Sequence, residues 1–176
     1  MNLLINYLKQ ADVFYQFTQT QLELVSNLCQ EKTYAAGDIV FEENSNSKEL
    51  YIIAYGEIEI LINPDIVSSQ EKKERDLITT LRRGQSFGEI ALVDEGLRSA
   101  TARVKEKEAR LLVIPRDKLI MLCETYPQLG YRLMYNLASG LALTTRNADL
   151  RVRSKKVNTT QPPTASASPR EKSKQK

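Results

Sequence analysis

The residues best suited to chemistry in this chain lie in one stretch, Gly84-Gln85-Ser86-Phe87-Gly88-Glu89-Ile90-Ala91-Leu92-Val93-Asp94-Glu95-Gly96-Leu97-Arg98-Ser99-Ala100-Thr101. Gly88 permits a close backbone approach, and Glu89 to Leu92 can form a short helical turn whose N–H groups point at an anion. Arg98 stands where it can reach back over that turn, and its planar fork suits a phosphate better than an ammonium does. The chemistry these types support is anion capture, in a phosphate pocket built from one arginine, one glutamate and backbone donors. Asp94 and Glu95 lack metal-binding companions and read as solvated loop residues.

Composition closes most alternatives. The 176 residues include no histidine, no tryptophan and only two cysteines, Cys29 and Cys123. Imidazole general bases, Ser/His/Asp and Cys/His triads, histidine-ligated metals, four-thiolate zinc sites and iron–sulfur clusters are therefore excluded, and no cofactor is expected. An enzyme is the least favoured class. No apolar run reaches the roughly 18 residues that span a bilayer, and no signal peptide is evident, so a cytoplasmic protein with two unpaired thiols is expected. The net charge of +3 hides an asymmetry: from Arg151 onward eight basic residues face one acid, giving +7, while the first 150 residues carry −4.

The elements that must position the pocket follow from hydrophobic period. Over about Asn2 to Gln30, Leu4, Tyr7, Leu8 and Ala11, then Leu22, Val25, Leu28 and Cys29, recur at helical spacing, and Thr20 with Glu23 reads as a capping box opening a second helix. From Tyr34 the pattern becomes that of strands: Ile39–Phe41, Leu50–Ile53, Ile58–Ile62, Leu77–Leu81, Val104 and Leu111–Ile114. Turns at Ala36-Gly37-Asp38, Glu43-Asn44-Ser45-Asn46 and Ala54-Tyr55-Gly56 separate the first of these, and Ser68–Asp76 reads as an exposed hairpin loop. Seven or eight short strands predict a small β-barrel or jelly roll over about 32–114, between helices at about 2–30 and about 117–153.

A short helix is expected at Lys118–Cys123, and Pro127 opens a long one. Along it Met134, Ala138, Leu141, Thr145, Ala148 and Val152 form a coiled-coil seam, while Leu129, Leu133 and Leu137 make a second apolar row for the barrel. Two apolar faces predict a homodimer through about 128–152; the alternative is that both rows serve one monomer core. Residues 154–176, rich in Ser, Thr, Pro, Gln and Lys, are expected to be a disordered basic tail.

The cassette closely resembles that of cyclic nucleotide-binding domains, found in bacterial catabolite activators and in kinase regulatory subunits. Phe87-Gly88-Glu89-Ile90-Ala91-Leu92 precedes Arg98-Ser99-Ala100-Thr101 with nine residues from Glu to Arg, and the resemblance extends over about residues 10 to 150. It implies a mainly β fold with flanking helices and a cyclic nucleotide ligand, with cAMP favoured and cGMP or a cyclic dinucleotide as alternatives. It also implies that Glu89 accepts the ribose 2′-hydroxyl and that Arg98, with N–H groups near Ala91 and Ser99, holds the cyclic phosphate. The Ser99 hydroxyl would add a phosphate or base contact. The competing reading of Glu89 and Arg98 is an internal salt bridge in a degenerate cassette.

In catabolite activators the last helix offers two adjacent hydroxyls to the base, and Thr144-Thr145 fall in step with them. Asn44 stands where that family has glycine. The short tail leaves no room for the helix-turn-helix domain of catabolite activators, so a free-standing sensor acting through a protein partner is expected, without sequence-specific DNA binding or membrane insertion. A ligand-independent adaptor is the second reading, and salt-sensitive nucleic-acid binding by the tail a third.

Overall fold

The computed structural model describes residues 3–64, 75–94, 96–105 and 107–159, with side chains as far as residue 147. Two helices lead: α1 (Leu3–Gln10) and α2 (Gln19–Ser26), joined through a 3₁₀ turn at Asp12–Phe14. Eight antiparallel strands follow: β1 (Gln30–Ala35), β2 (Ile39–Phe41), β3 (Glu49–Tyr55), β4 (Glu57–Ile62), β5 (Asp76–Arg82), β6 (Ser86–Phe87), β7 (Thr101–Val104) and β8 (Glu108–Pro115). A short α3 (Ile90–Val93) interrupts them, and α4 (Arg116–Thr125) and α5 (Pro127–Thr159) close the series. The strands form two four-stranded sheets, in the orders β1-β8-β3-β6 and β2-β7-β4-β5. This is the expected jelly roll with flanking helices.

Strand β3 shows why the barrel and helices form together. Leu50, Ile52 and Ala54 point to one face, where they join Leu112 and Ile114 of β8, Ile5 and Leu8 of α1, Leu119 of α4 and the α5 row Leu129, Leu133 and Leu137. Tyr51 and Ile53 point to the other, inside the barrel, with Ile58, Phe87, Ala102, Val104, Leu111 and Val113. A strand covered on both faces reads as an unbroken apolar run rather than an alternating one. The turn after it depends on Gly56, whose φ is +88° and whose missing Cβ would lie 2.5 Å from the Glu108 carbonyl oxygen.

Some expectations need correction. Strand β1 is polar and largely exposed, so Gln30–Ala35 carries no alternation and is not among the strands expected from the pattern; its pairing with β8 across Gln30↔Val113 to Ala35↔Glu108 is what makes it a strand. Helix α2 starts at Gln19, not after Thr20. Its cap is Thr18, whose hydroxyl accepts from Gln21 N–H at 3.3 Å while Gln21 Oε1 accepts from Thr18 N–H at 2.9 Å. Glutamine at the third helical position closes this box as glutamate would. The two-residue strand β6 has too few residues to show a period.

Helix α5 continues to Thr159, past Arg153 and into the segment read as a disordered tail; residues 160–176 and most of the expected Ser68–Asp76 loop lie outside the described residues. The first compact unit ends at Gly140, and the stretch of α5 from Leu141 belongs to a second. The row Leu129, Leu133 and Leu137 is buried on the barrel side as expected. Of the seam, Met134 and Leu141 are half-buried, Ala138 and Thr145 exposed, and the Ala148 and Val152 side chains lie outside the described residues.

The corrected cap separates two threonines. Thr18→Ala should lower the free energy of unfolding by about 0.5–2 kcal/mol, whereas Thr20→Ala should change it by less than about 0.5 kcal/mol. Urea titration of the two variants measures the difference, and the reverse order would restore Thr20 as the cap.

Candidate functional site

Pairing of β6 with β3, Tyr51↔Phe87 and Ile52↔Ser86, brings the chemically interesting stretch to the sheet edge. The Phe87 ring is buried and stacks on Tyr51 at 5.0 Å, with Phe41 of β2 at 5.9 Å from it. The chain then reverses at Gly88, whose φ is +76°. A Cβ there would lie 2.6 Å from Arg98 Nη1 and 3.0 Å from the Glu49 carbonyl oxygen, so only glycine fits. Glu89 stands just before the single turn of α3, without a side-chain cap to it, and in that turn Ala91 and Leu92 face inward while Ile90 and Val93 are exposed.

Arg98 is the centre of this arrangement. It is 5% exposed although it sits in a loop. Its backbone is clamped to the β2–β3 turn: the Asn44 N–H donates to the Arg98 carbonyl at 2.8 Å, and the Arg98 N–H donates to the Ser45 carbonyl at 3.0 Å. Asn44 makes that turn with φ +63°, the left-handed conformation that asparagine tolerates. The side chain donates from Nε to Ser47 Oγ at 2.6 Å, from Nη1 to the Gly88 carbonyl at 3.0 Å and from Nη2 to the Glu49 carbonyl at 2.7 Å. The Phe41 ring lies 4.1 Å from the guanidinium carbon, and the Glu49 carboxylate is 3.8 Å from Nη2. Burial pulls the Arg98 pKa down from its ordinary value, while Tyr51, Glu49 and Glu89 act against that pull.

The internal Glu89–Arg98 salt bridge, the competing reading of these two residues, is not among the ion pairs of the described residues. Among the described residues the carboxylate paired with Arg98 is Glu49, which also accepts from the Tyr51 hydroxyl at 3.4 Å. Glu89 is half-buried, close enough to Arg98 to feel its charge, and unspent on it.

Of the residues singled out from sequence, Phe87, Gly88, Glu89, Ala91, Leu92 and Arg98 come together around this turn. Ser99 is exposed and Ala100 half-buried in the bend that precedes β7. Thr144 and Thr145 belong to the unit that begins at Leu141; both are exposed, and the Thr145 hydroxyl donates to the Leu141 carbonyl at 3.0 Å. Ser47, Glu49, Phe41 and Tyr51 also surround Arg98, although the sequence does not single them out as site residues. The pairing of β2 with β7, the turn between β2 and β3 and the register of β3 against β6 bring them to Arg98, and no local motif announces those contacts.

Burial pushes the Cys29 thiol up to about 12 and raises that of Cys123 as well, so neither is a ready nucleophile at neutral pH. Among the described residues no cluster of three carboxylate, thiol or imidazole groups could hold a metal, and no helix is long and apolar enough to cross a membrane. An open depression of about 420 Å³ lies away from Arg98, lined by Gln16, Thr18, Gln21, Pro127, Gln128, Tyr131 and Arg132.

The profile of the cyclic nucleotide-binding domain matches residues 31–126, more than half of the chain. The chain belongs to the cyclic nucleotide-binding domain family. It is similar to the cyclic AMP receptor protein of Thermus thermophilus, with 29% identity over 143 residues that cover 81% of this chain and 61% of that protein. It is also similar to human cGMP-dependent protein kinase 2, with 25% identity over 70% of this chain but only 16% of the kinase. Among solved structures, the Thermus thermophilus catabolite activator protein superposes with a TM-score of 0.69 at 26% identity, covering 83% of this chain and 63% of that one. The chain thus spans less than two thirds of these relatives. Arg98, Gly88 and Glu89 all fall within the residues matched by the family profile.

The electrostatics of Glu89 give a measurable signature. Burial raises its pKa above the ordinary glutamate range, the Asp12 charge adds to the rise, and a backbone hydrogen bond and the Arg98 charge reduce it. The folded protein therefore holds this proton more tightly than the unfolded chain does. Stability is lost as pH rises from the ordinary glutamate range through the raised value, and the loss is complete above it. Glu89→Gln should match wild type below that window and gain stability over it across the window, as read by urea titrations at a series of pH values. A constant difference at every pH would show that Glu89 ionises freely.

Proposed function

We propose that this chain is a cyclic nucleotide sensor whose ligand is cAMP, held at the cassette around Arg98, and that it acts on a protein partner in the cytoplasm rather than as a catalyst. The observation that carries this reading is the state of Arg98. A guanidinium taken almost wholly out of water is costly unless charge and hydrogen bonds compensate it. Here three neutral oxygens accept from it, and the paired carboxylate stands back at 3.8 Å. An incoming cyclic phosphate supplies the close anion that the buried cation lacks. The Glu89 carboxylate, unspent on Arg98, is left to accept the ribose 2′-hydroxyl. A hydroxyl donor relieves a desolvated carboxylate without adding charge.

Backbone N–H groups near Ala91 and Ser99 complete the phosphate contacts in this reading, and Thr144 and Thr145 are the candidates for reading the base. The similarity to a cyclic AMP receptor protein and to a cGMP-dependent kinase supports a cyclic nucleotide as ligand, and the first has the larger match. A second copy of the chain is proposed to pair through about 128–152 of α5, along the face that carries Ala138, Leu141 and Thr145. Leu141→Glu should then convert dimer to monomer in sedimentation velocity.

Titration calorimetry with cAMP, cGMP and a cyclic dinucleotide tests the ligand. Wild type should bind cAMP most tightly. Arg98→Ala, which removes one member of a buried charged contact, should weaken binding by roughly thirty-fold to several thousand-fold, and should abolish the rise in melting temperature that cAMP produces. Glu89→Ala should weaken it less. No binding of any of the three by wild type would replace the sensor with a ligand-independent adaptor.

A further inference from the structure

Arg98 is held from the side by a loop that contributes nothing to the cassette motif. Residues 44–49 share four hydrogen bonds with it: two between backbones at Asn44 and Ser45, one accepted by the Ser47 hydroxyl and one accepted by the Glu49 carbonyl. Of these, the Nε–Ser47 Oγ bond at 2.6 Å is the shortest, and it is the one that a side chain rather than the fold supplies. A guanidinium is a rigid planar fork, so fixing Nε and one Nη fixes the direction of the remaining donors. Phe41, 4.1 Å from the guanidinium carbon, restrains the group further.

We infer that Ser47 is a positioning residue for the ligand's phosphate: by holding Nε of Arg98 it aims the remaining guanidinium donors at the anion site, and it sets affinity without touching the ligand. This rests on the cyclic nucleotide reading given above. Ser47 is half-buried and lies 51 residues before Arg98 in the chain, so its role comes from the strand register and not from the motif. Removing its oxygen leaves a buried charged N–H unpaired and frees the fork to swing.

The test is a double-mutant cycle read by titration calorimetry with cAMP on the full chain. Ser47→Ala should weaken cAMP binding by about ten- to hundred-fold, the range expected for one hydrogen bond to a charged group. Ser47→Thr, which keeps the hydroxyl, should restore most of the affinity. In an Arg98→Lys background, where no Nε fork exists, Ser47→Ala should change affinity less than two-fold. A purely structural role would weaken both backgrounds alike, and that result overturns the inference, as does wild-type affinity in Ser47→Ala. If the wild type binds none of cAMP, cGMP or a cyclic dinucleotide, the functional reading fails first and the role of Ser47 falls with it. Melting curves of each variant without ligand separate a loss of aim from a loss of fold.

Discussion

The buried guanidinium of Arg98 is the constraint to which this part of the molecule is fitted. A cation that is nearly excluded from water requires acceptors fixed in advance, because each unsatisfied donor would add to an already large desolvation cost. Four features supply them. Gly88 lacks the Cβ that would collide with Nη1, Asn44 adopts the left-handed turn that clamps the Arg98 backbone, Ser47 Oγ accepts a hydrogen bond from Nε, and β3 begins at Glu49 so that its carbonyl meets Nη2. Phe41 covers the group, and its π face favours a cation there. These residues come from two separate stretches of chain, 41–49 and the turn at Gly88, that meet at the arginine.

The barrel can make this offer because β3 and β8 lie in the middle of their sheet and are covered on both faces. Their pairing, from Glu49↔Pro115 to Tyr55↔Arg110, joins the interior cluster around Tyr51 and Ile53 to the outer cluster of helices around Leu50 and Ile52. Because side chains alternate strictly along a strand, a slip of one residue would exchange the two sets and turn Tyr51 away from Phe87. The aromatic trio Phe41, Tyr51 and Phe87 therefore reports correct register as well as packing, and the orientation of Glu49 at the strand's start is set by the same choice.

How much of this was readable beforehand follows from the range over which each signal acts. Gly88, Glu89 and Arg98 stood out because glycine, carboxylate and guanidinium have distinctive chemistry, and nine residues is a local spacing. The apolar strands and the buried row Leu129, Leu133 and Leu137 were legible because burial imposes a period. Strand β1 was not, since it is an exposed edge whose only reason to be extended is the ladder to β8. The cap of α2 was misplaced by two residues because Thr18 and Thr20 offer the same hydroxyl, and local sequence does not say where the preceding 3₁₀ turn releases the chain. The partners of Arg98 were invisible for the most general reason. Ser47 and Glu49 are ordinary surface types that acquire a role only when the strand register brings them to a residue about fifty positions away.

The same register joins the site to the helices. Leu92, on the inward face of α3, is 2% exposed and belongs to the cluster that contains Leu8, Leu119, Leu129, Leu133 and Leu137. Its neighbours Ile90 and Val93 are exposed, so α3 is anchored by one face only. Packed interiors resist small displacements and respond by moving between discrete arrangements. Leu92 therefore ties α3 to the helices α1 and α4 and to α5 up to Leu137. Arg98 itself is tied to the β2–β3 turn and the start of β3, which belong to the barrel, whereas Leu92 is tied to the helical layer. The eight residues between Glu89 and Arg98 thus join two differently anchored parts of the molecule.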